Sequence, residues 1–292
     1  MSALRVSIED AALVVGLPSS KSEFDDALTT GSDFLGTLQP PPASQDRWSF
    51  YDSLFASTAR EVESELHGIG VMVLTAAKPE TLRIALSKRK LVGVVGHHPL
   101  ATLAPTDISH PERILDLVER IRHPVMQRVR RSIAAQPPAS DPRSRVAAGI
   151  NALIEDGRRY YDVWAKERDT AHKESVTETF AFSRIWFDVQ FEGLLQPGPC
   201  VELGAATATI SNLVELFRGF RGAVDLMVCN SVLHADRIKR DNANVLFLAG
   251  EGLTAPAARM KRFQAMMLLL ARHGPLPPRQ LFHAALRGAT EF

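Results

Sequence analysis

Residues 224–236 read "VDLMVCNSVLHAD", an apolar run that ends on Cys229 and then breaks into Asn, Ser, His and Asp. Upstream, residues 90–98 read "KLVGVVGHH", a second run of strand character that ends on His97 and His98. Continuous Val- and Leu-rich runs without polar alternation are the pattern of parallel strands covered on both faces. A buried strand can end on a silent cysteine, because free Cys packs like a small hydrophobe. It can also lift a thiol to the rim of a sheet, and the choice between the two governs the reading of the chain.

Working outward, "IGVMVLTA" after Gly68 is another run of strand character, and Pro79 opens a short helix whose apolar side is Leu82, Ala85 and Leu86. Strand, helix and strand in quick succession, with "KLVGVVGHH" as the third member, is the sign of a parallel α/β unit. Before it, "DSLFASTAREVESEL" carries Phe55, Ala59, Val62 and Leu66 at helical spacing, which predicts an amphipathic helix. Residues 1 to about 48 scatter Gly, Ser and Asp around a three-proline run, Pro40 to Pro42, and are read as an irregular accessory arm. "SHPERILDLVERI" opens with a capping-box spacing, Ser109 to Glu112, and begins a helical insertion reaching to about residue 180. The sheet is expected to resume with "PCVELG", followed by a helix through "TISNLVELFRG", the strand ending on Cys229, and a further strand "ANVLFLAG". In the closing helix Met260, Phe263, Met267 and Leu270 share one face, a stripe expected in the core, and Gly274 is placed to end it. The predicted fold is α/β: a mostly parallel sheet flanked by helices. Residues 1–67 form an N-terminal arm and helix, and residues 68–292 form the main domain with the insertion at about 109–180.

The 292 residues are 45% hydrophobic and 23% charged, enough for a large core. A formal net charge of +1 gives no global field for nucleic acid or an anionic membrane. Arg120 to Arg145 holds seven arginines against one acid, Asp141, but no stacking aromatics are interleaved, so it reads as a solvated face and linker. A nucleic-acid partner is not expected. The longest apolar runs, such as "MMLLLA", are far short of a bilayer span, and "MSALRVSIED" lacks the basic-then-apolar order of a signal peptide. With Cys200 and Cys229 the only cysteines, a reducing, cytoplasmic setting is expected. Two cysteines without a histidine cluster do not make a zinc set, and His234 with Asp236 finds no third ligand, so neither metal nor cofactor is expected. Phosphate-loop, zinc-helix and serine-elbow motifs are absent.

Open parallel sheets place their sites beyond the carboxyl ends of the strands. His97 and Cys229 both stand at such ends, so both are expected at one rim. A thiol attacks as thiolate, and a neighbouring imidazole takes its proton or forms an ion pair with it. The oxyanion formed at an acyl carbon needs N–H donors, for which the backbone amides of Cys229 and of His98 are the candidates. Cys200 begins its strand instead of ending it and is expected at the opposite rim.

These features together resemble a known family. "KLVGVVGHHPLATLAPTDI", "CVELGAATATISNLVELFRGFRGAVDLMVCNS" and "NVLFLAGEGLTAPAARMKRFQAMMLLLARHGPLPPRQLFHAAL" look like the CHAT family of caspase-like cysteine peptidases, over about residues 68–287 with the helical insertion unmatched. The resemblance implies a caspase-like sheet, His97 as general base and Cys229 as nucleophile. It implies a cysteine endopeptidase acting on a dedicated protein substrate in a bacterial defence or cell-death system; from their position alone, the arm and the insertion are expected to restrain the protease or dock an activator or regulatory protein. His98 replaces the family's common glycine; its amide survives the change, while its bulk narrows the groove. Met227 stands where some relatives carry an acid for a basic P1 side chain, and Glu251 is the substitute candidate. The alternative is a catalytically silent scaffold of the same fold that binds protein partners through its basic insertion.

Overall fold

The computed structural model describes residues 4–32, 46–98, 104–120, 124–152, 155, 194, 200–204, 206–250 and 256–288. Its strands are β1 (Ala11–Val15), β2 (Met72–Leu74), β3 (Leu91–Val95), β4 (Cys200–Leu203), β5 (Ala206–Thr209), β6 (Gly222–Met227) and β7 (Val245–Leu248). Five of them form one sheet in the order β2-β1-β3-β6-β7, and every pairing in it is parallel. The mostly parallel α/β architecture expected from the apolar runs is therefore present.

Helices cover both faces, and alternate residues of each strand divide between two cores. Leu13, Val15, Leu91, Val95 and Met227 face one core with Ala59, Val62 and Leu66 of α3 (Ser57–Gly68). That helix continues from α2 (Arg47–Tyr51) through a π-helical segment, Asp52–Ala56, and follows α1 (Lys21–Thr29). Val14, Val92, Val94, Val224 and Leu226 face the other core with Leu82 and Ala85 of α4 (Pro79–Lys88). A third cluster belongs to the insertion: Ile114 and Val118 of α5 (Pro111–Arg120), Met126, Val129 and Ile133 of α6 (Pro124–Ala134), and Val146 and Ile150 of α7 (142–152). After the insertion come α8 (Ile210–Leu216), α9 (Ser231–Asp241), α10 (Pro256–His273) and α11 (Pro278–Gly288).

The closing stripe is core, as its spacing requires: Met260, Phe263 and Met267 are fully buried and Leu270 nearly so. Phe263 explains the glycine inside β3. A Cβ on Gly93 would come within 2.8 Å of the Phe263 ring and 2.9 Å of Met227 Cε, so the ring lies directly on the strand.

Two expectations are corrected. Residues 4–32 are not an irregular arm: β1 lies within the sheet between β2 and β3, with Leu13 opposite Val73 on one side and Gly93 on the other, while the three-proline run lies outside the described residues. "AALVV" is five fully buried residues, and so short an apolar run carries no periodicity that separates it from a loop. Nor does the sheet resume at Cys200. Strands β4 and β5 form a separate antiparallel hairpin, with Cys200 paired to Thr209. The hairpin docks on the carboxyl rim, where Gly204 N–H donates to Gly16 O and Glu202 bridges to His97. Gly96 makes room for it: a Cβ there would sit 3.0 Å from Glu202 O and from side-chain atoms of Leu203 and Val201. Cys200 is thus carried to the rim it was expected to avoid.

Candidate active site

Strands β3 and β6 are neighbours, and their register pairs Val95 with Met227. His97 and Cys229 each stand two residues further along the same direction. The two groups predicted to share a rim therefore leave the sheet at matching heights from adjoining strands.

Each is set by a different local structure. Cys229 lies in a tight strand-to-helix turn in which Asn230 adopts left-handed geometry, φ 46° and ψ 37°, and α9 begins at Ser231. Asn tolerates that conformation better than most residues with a side chain. The turn puts the thiol ahead of the N-terminus of an 11-residue helix, whose dipole favours an anion there. The thiol is half-buried. One flank of Cys229, together with Leu233, packs against the core of the insertion, so α5 to α7 wall one side of it.

His97 is pinned through its backbone. Its N–H donates to Glu202 O at 3.1 Å, and Glu202 N–H donates to His97 O at 2.8 Å, tying the end of β3 to the β4 hairpin. His97 is 7% exposed and Glu202 is 5%. His98 is fully buried, and its Nδ1 shares a hydrogen bond of 3.0 Å with Nε2 of the fully buried His234 in α9. Burial pushes His234 down to about 3, so it is a neutral imidazole at physiological pH. That bond commits the His98 ring to structure. His97, the histidine that the resemblance makes the base, is the one bridged to Glu202 through its backbone.

A charged group that the sequence reading passed over lies beneath the thiol. Asp225 is fully buried in the middle of β6, and its Oδ1 accepts from Arg262 Nη2 at 2.5 Å. Burial pushes the Asp225 carboxyl up to about 6, against the pull of Arg262 and Arg259. The signal was present as an acid inside the apolar run "AVDLMV", which demands a buried cation, and as two arginines three residues apart in "RMKR" on one helix face.

The remaining candidates are placed as follows. Glu251 lies outside the described residues. Met227 is fully buried and faces the core under the sheet, away from the rim. In the arginine-rich stretch, Arg130 donates through Nη2 to Val118 O at 2.6 Å and Glu119 O at 3.0 Å, capping the end of α5, so part of that charge holds the insertion together. Among the described residues no three His, Cys, Asp or Glu side chains are grouped to hold a metal, and no helix is long and apolar enough to cross a membrane. No family model, curated protein or solved structure matches the chain.

Proposed function

We propose that the protein is a cysteine endopeptidase of caspase-like design in which Cys229 attacks a peptide carbonyl and His97 handles the proton. One observation carries the reading: an imidazole and a thiol stand at the same height on the carboxyl rim, on adjoining parallel strands. The thiolate adds to the carbonyl carbon, and the carbonyl electrons move onto oxygen, facing the amides of Cys229 and His98. As the C–N bond breaks, the imidazolium of His97 protonates the leaving amine, and water then hydrolyses the thioester. All the groups named belong to the chain. The resemblance to the CHAT family supports a dedicated protein substrate and a role in bacterial defence or cell death, with a second protein as activator. The insertion, packed against the flank of Cys229, is where such a protein would act on the site.

A silent scaffold is the second reading, favoured by the burial of His97, which is 7% exposed and bridged through its backbone. The experiment that separates them follows cleavage of a denatured-proteome digest by mass spectrometry, comparing wild type with Cys229→Ala and His97→Ala. New termini produced by wild type and by neither variant support the peptidase. Cleavage that survives Cys229→Ala overturns it. No cleavage by any of the three, with the biological output intact in Cys229→Ala, supports the scaffold.

A further inference from the structure

Among the described residues, the charged side chains beside the turn that carries Cys229 do not balance. Arg262 is engaged with Asp225, its side chain 11% exposed. Arg259 lies one helical turn earlier on the same face of α10 and is half-buried. Its guanidinium covers Gly250: a Cβ on that glycine would collide with Nη2 and come within 3.2 Å of Cζ. Gly250 is joined to the turn that carries Cys229. Its N–H donates to Ser231 Oγ at 2.9 Å, and its carbonyl accepts from Val232 N–H at 3.3 Å. The guanidinium is therefore held over the loop that is stitched to the first turn of α9, immediately after the thiol.

Among the described residues, two guanidiniums and one carboxylate leave a net charge of +1 in a largely buried cluster. An uncompensated cation in such surroundings is costly, and the cluster favours whichever nearby group can become an anion. Among the described residues, Asp225 and Cys229 are the anionic groups that favour the charged form of Arg259, against burial and the repulsion of Arg262. His98 and His234 form the buried pair at the base of α9, and Leu115, Leu117 and Leu233 line the insertion side. His97 stands at the end of the neighbouring β3, and the positive end of the α9 dipole lies next to the turn.

We infer that Arg259 holds Cys229 as a thiolate before substrate arrives, the thiolate being the second anion that completes the cluster with Asp225, Arg262 and Arg259. The inference rests on the reading of Cys229 as the nucleophile. The S–H proton passes to His97, giving an imidazolium already charged for its later donation to the leaving amine. The S–C bond then forms without a concerted proton transfer. Arg259 acts through the sulfur and does not touch substrate, which makes it a positioning residue.

The test needs no substrate. The rate at which iodoacetamide alkylates Cys229, read from the peptide that contains it by mass spectrometry, is measured against pH for wild type, Arg259→Gln and Arg259→Lys. An unperturbed thiol ionises near ~8.5. The expected wild-type midpoint lies at least about one unit below that, with Arg259→Gln moving it up by about one unit and Arg259→Lys restoring most of the shift. At pH 6 the glutamine variant then reacts about tenfold more slowly than wild type. A wild-type midpoint at the ordinary thiol value overturns the inference even if Arg259→Gln does not fold, and so does a midpoint that Arg259→Gln leaves unchanged. A low, Arg259-dependent midpoint in a protein whose peptide cleavage survives Cys229→Ala sustains the inference about the thiol and overturns the peptidase reading.

Discussion

The two sides of the rim are held by different forces. On the imidazole side the described ties are hydrogen bonds: the paired amides of His97 and Glu202, and the buried rings of His98 and His234. On the thiol side hydrogen bonds between Gly250 and both Ser231 and Val232 are joined by charges, Asp225 and Arg262 beneath the strand and Arg259 over the adjoining loop. The difference suits the roles proposed for the two groups. A base that changes charge during a reaction is best fixed by contacts indifferent to its charge, whereas a nucleophile needed as an anion gains from surroundings that penalise its neutral form.

Removing the imidazole breaks the comparison most severely. His97→Ala is expected to lower kcat/KM for Cys229-dependent cleavage by about 10²–10⁴-fold, while the backbone bridge to Glu202, which does not need the ring, is kept. Wild-type turnover in that variant would leave the imidazole side without a function. Next comes the ionic side: Asp225→Ala leaves Arg262 buried without its anion and should lower unfolding free energy by about 3–5 kcal/mol in urea titrations, while Asp225→Asn, which keeps an acceptor, costs less. Equal losses for both substitutions would show that shape, not charge, holds that side. His234→Leu strips His98 Nδ1 of its partner in the interior, and about 1–3 kcal/mol of destabilisation is expected in the same titration.

The same groups also give pH slopes, and the two sides slope oppositely. His234 is neutral in the fold down to about 3 against an ordinary 6.5, so its contribution is complete above pH 6.5 and is lost as pH falls toward 3. Asp225, raised by burial to about 6, works the other way: stability is highest near pH 4 and declines as pH climbs to 6. Glu63 of α3 adds to that decline between 4.5 and about 7, raised first by burial and then by Glu23. Melting curves across this range should therefore lose their acid-side fall in His234→Leu and part of their neutral-side fall in Glu63→Gln. A Glu63→Gln profile superimposable on wild type would remove that carboxyl from the account.

The buried strands β3 and β6 were legible because uninterrupted Val and Leu runs mean burial on both faces. The rim was legible because such runs ended on His97 and Cys229. Helix α10 was legible from a stripe at Met260, Phe263 and Met267. Strand β1 was not, since five small and branched residues among Ser and Asp look the same in a strand or a loop. The β4 hairpin was misplaced for a related reason: "CVEL" is apolar enough for a sheet interior, and only its tertiary contacts with Gly16 and His97 assign it to the rim. The His98 and His234 bond joins residues 136 positions apart, and no local pattern announces it. The Asp225 cluster could have been found, because an acid inside a buried strand requires a cation, and "RMKR" supplied two.

Strand β1 links β2 to the rest of the sheet, since β2 and β3 each pair with it and are not neighbours of one another. A protease nick or a cloning boundary placed just after residue 16 would not trim an appendage. It would pull the keystone from the sheet, leaving β2 stranded and the inner edge of β3 bare, and so silence the protein from a point remote in sequence from both His97 and Cys229.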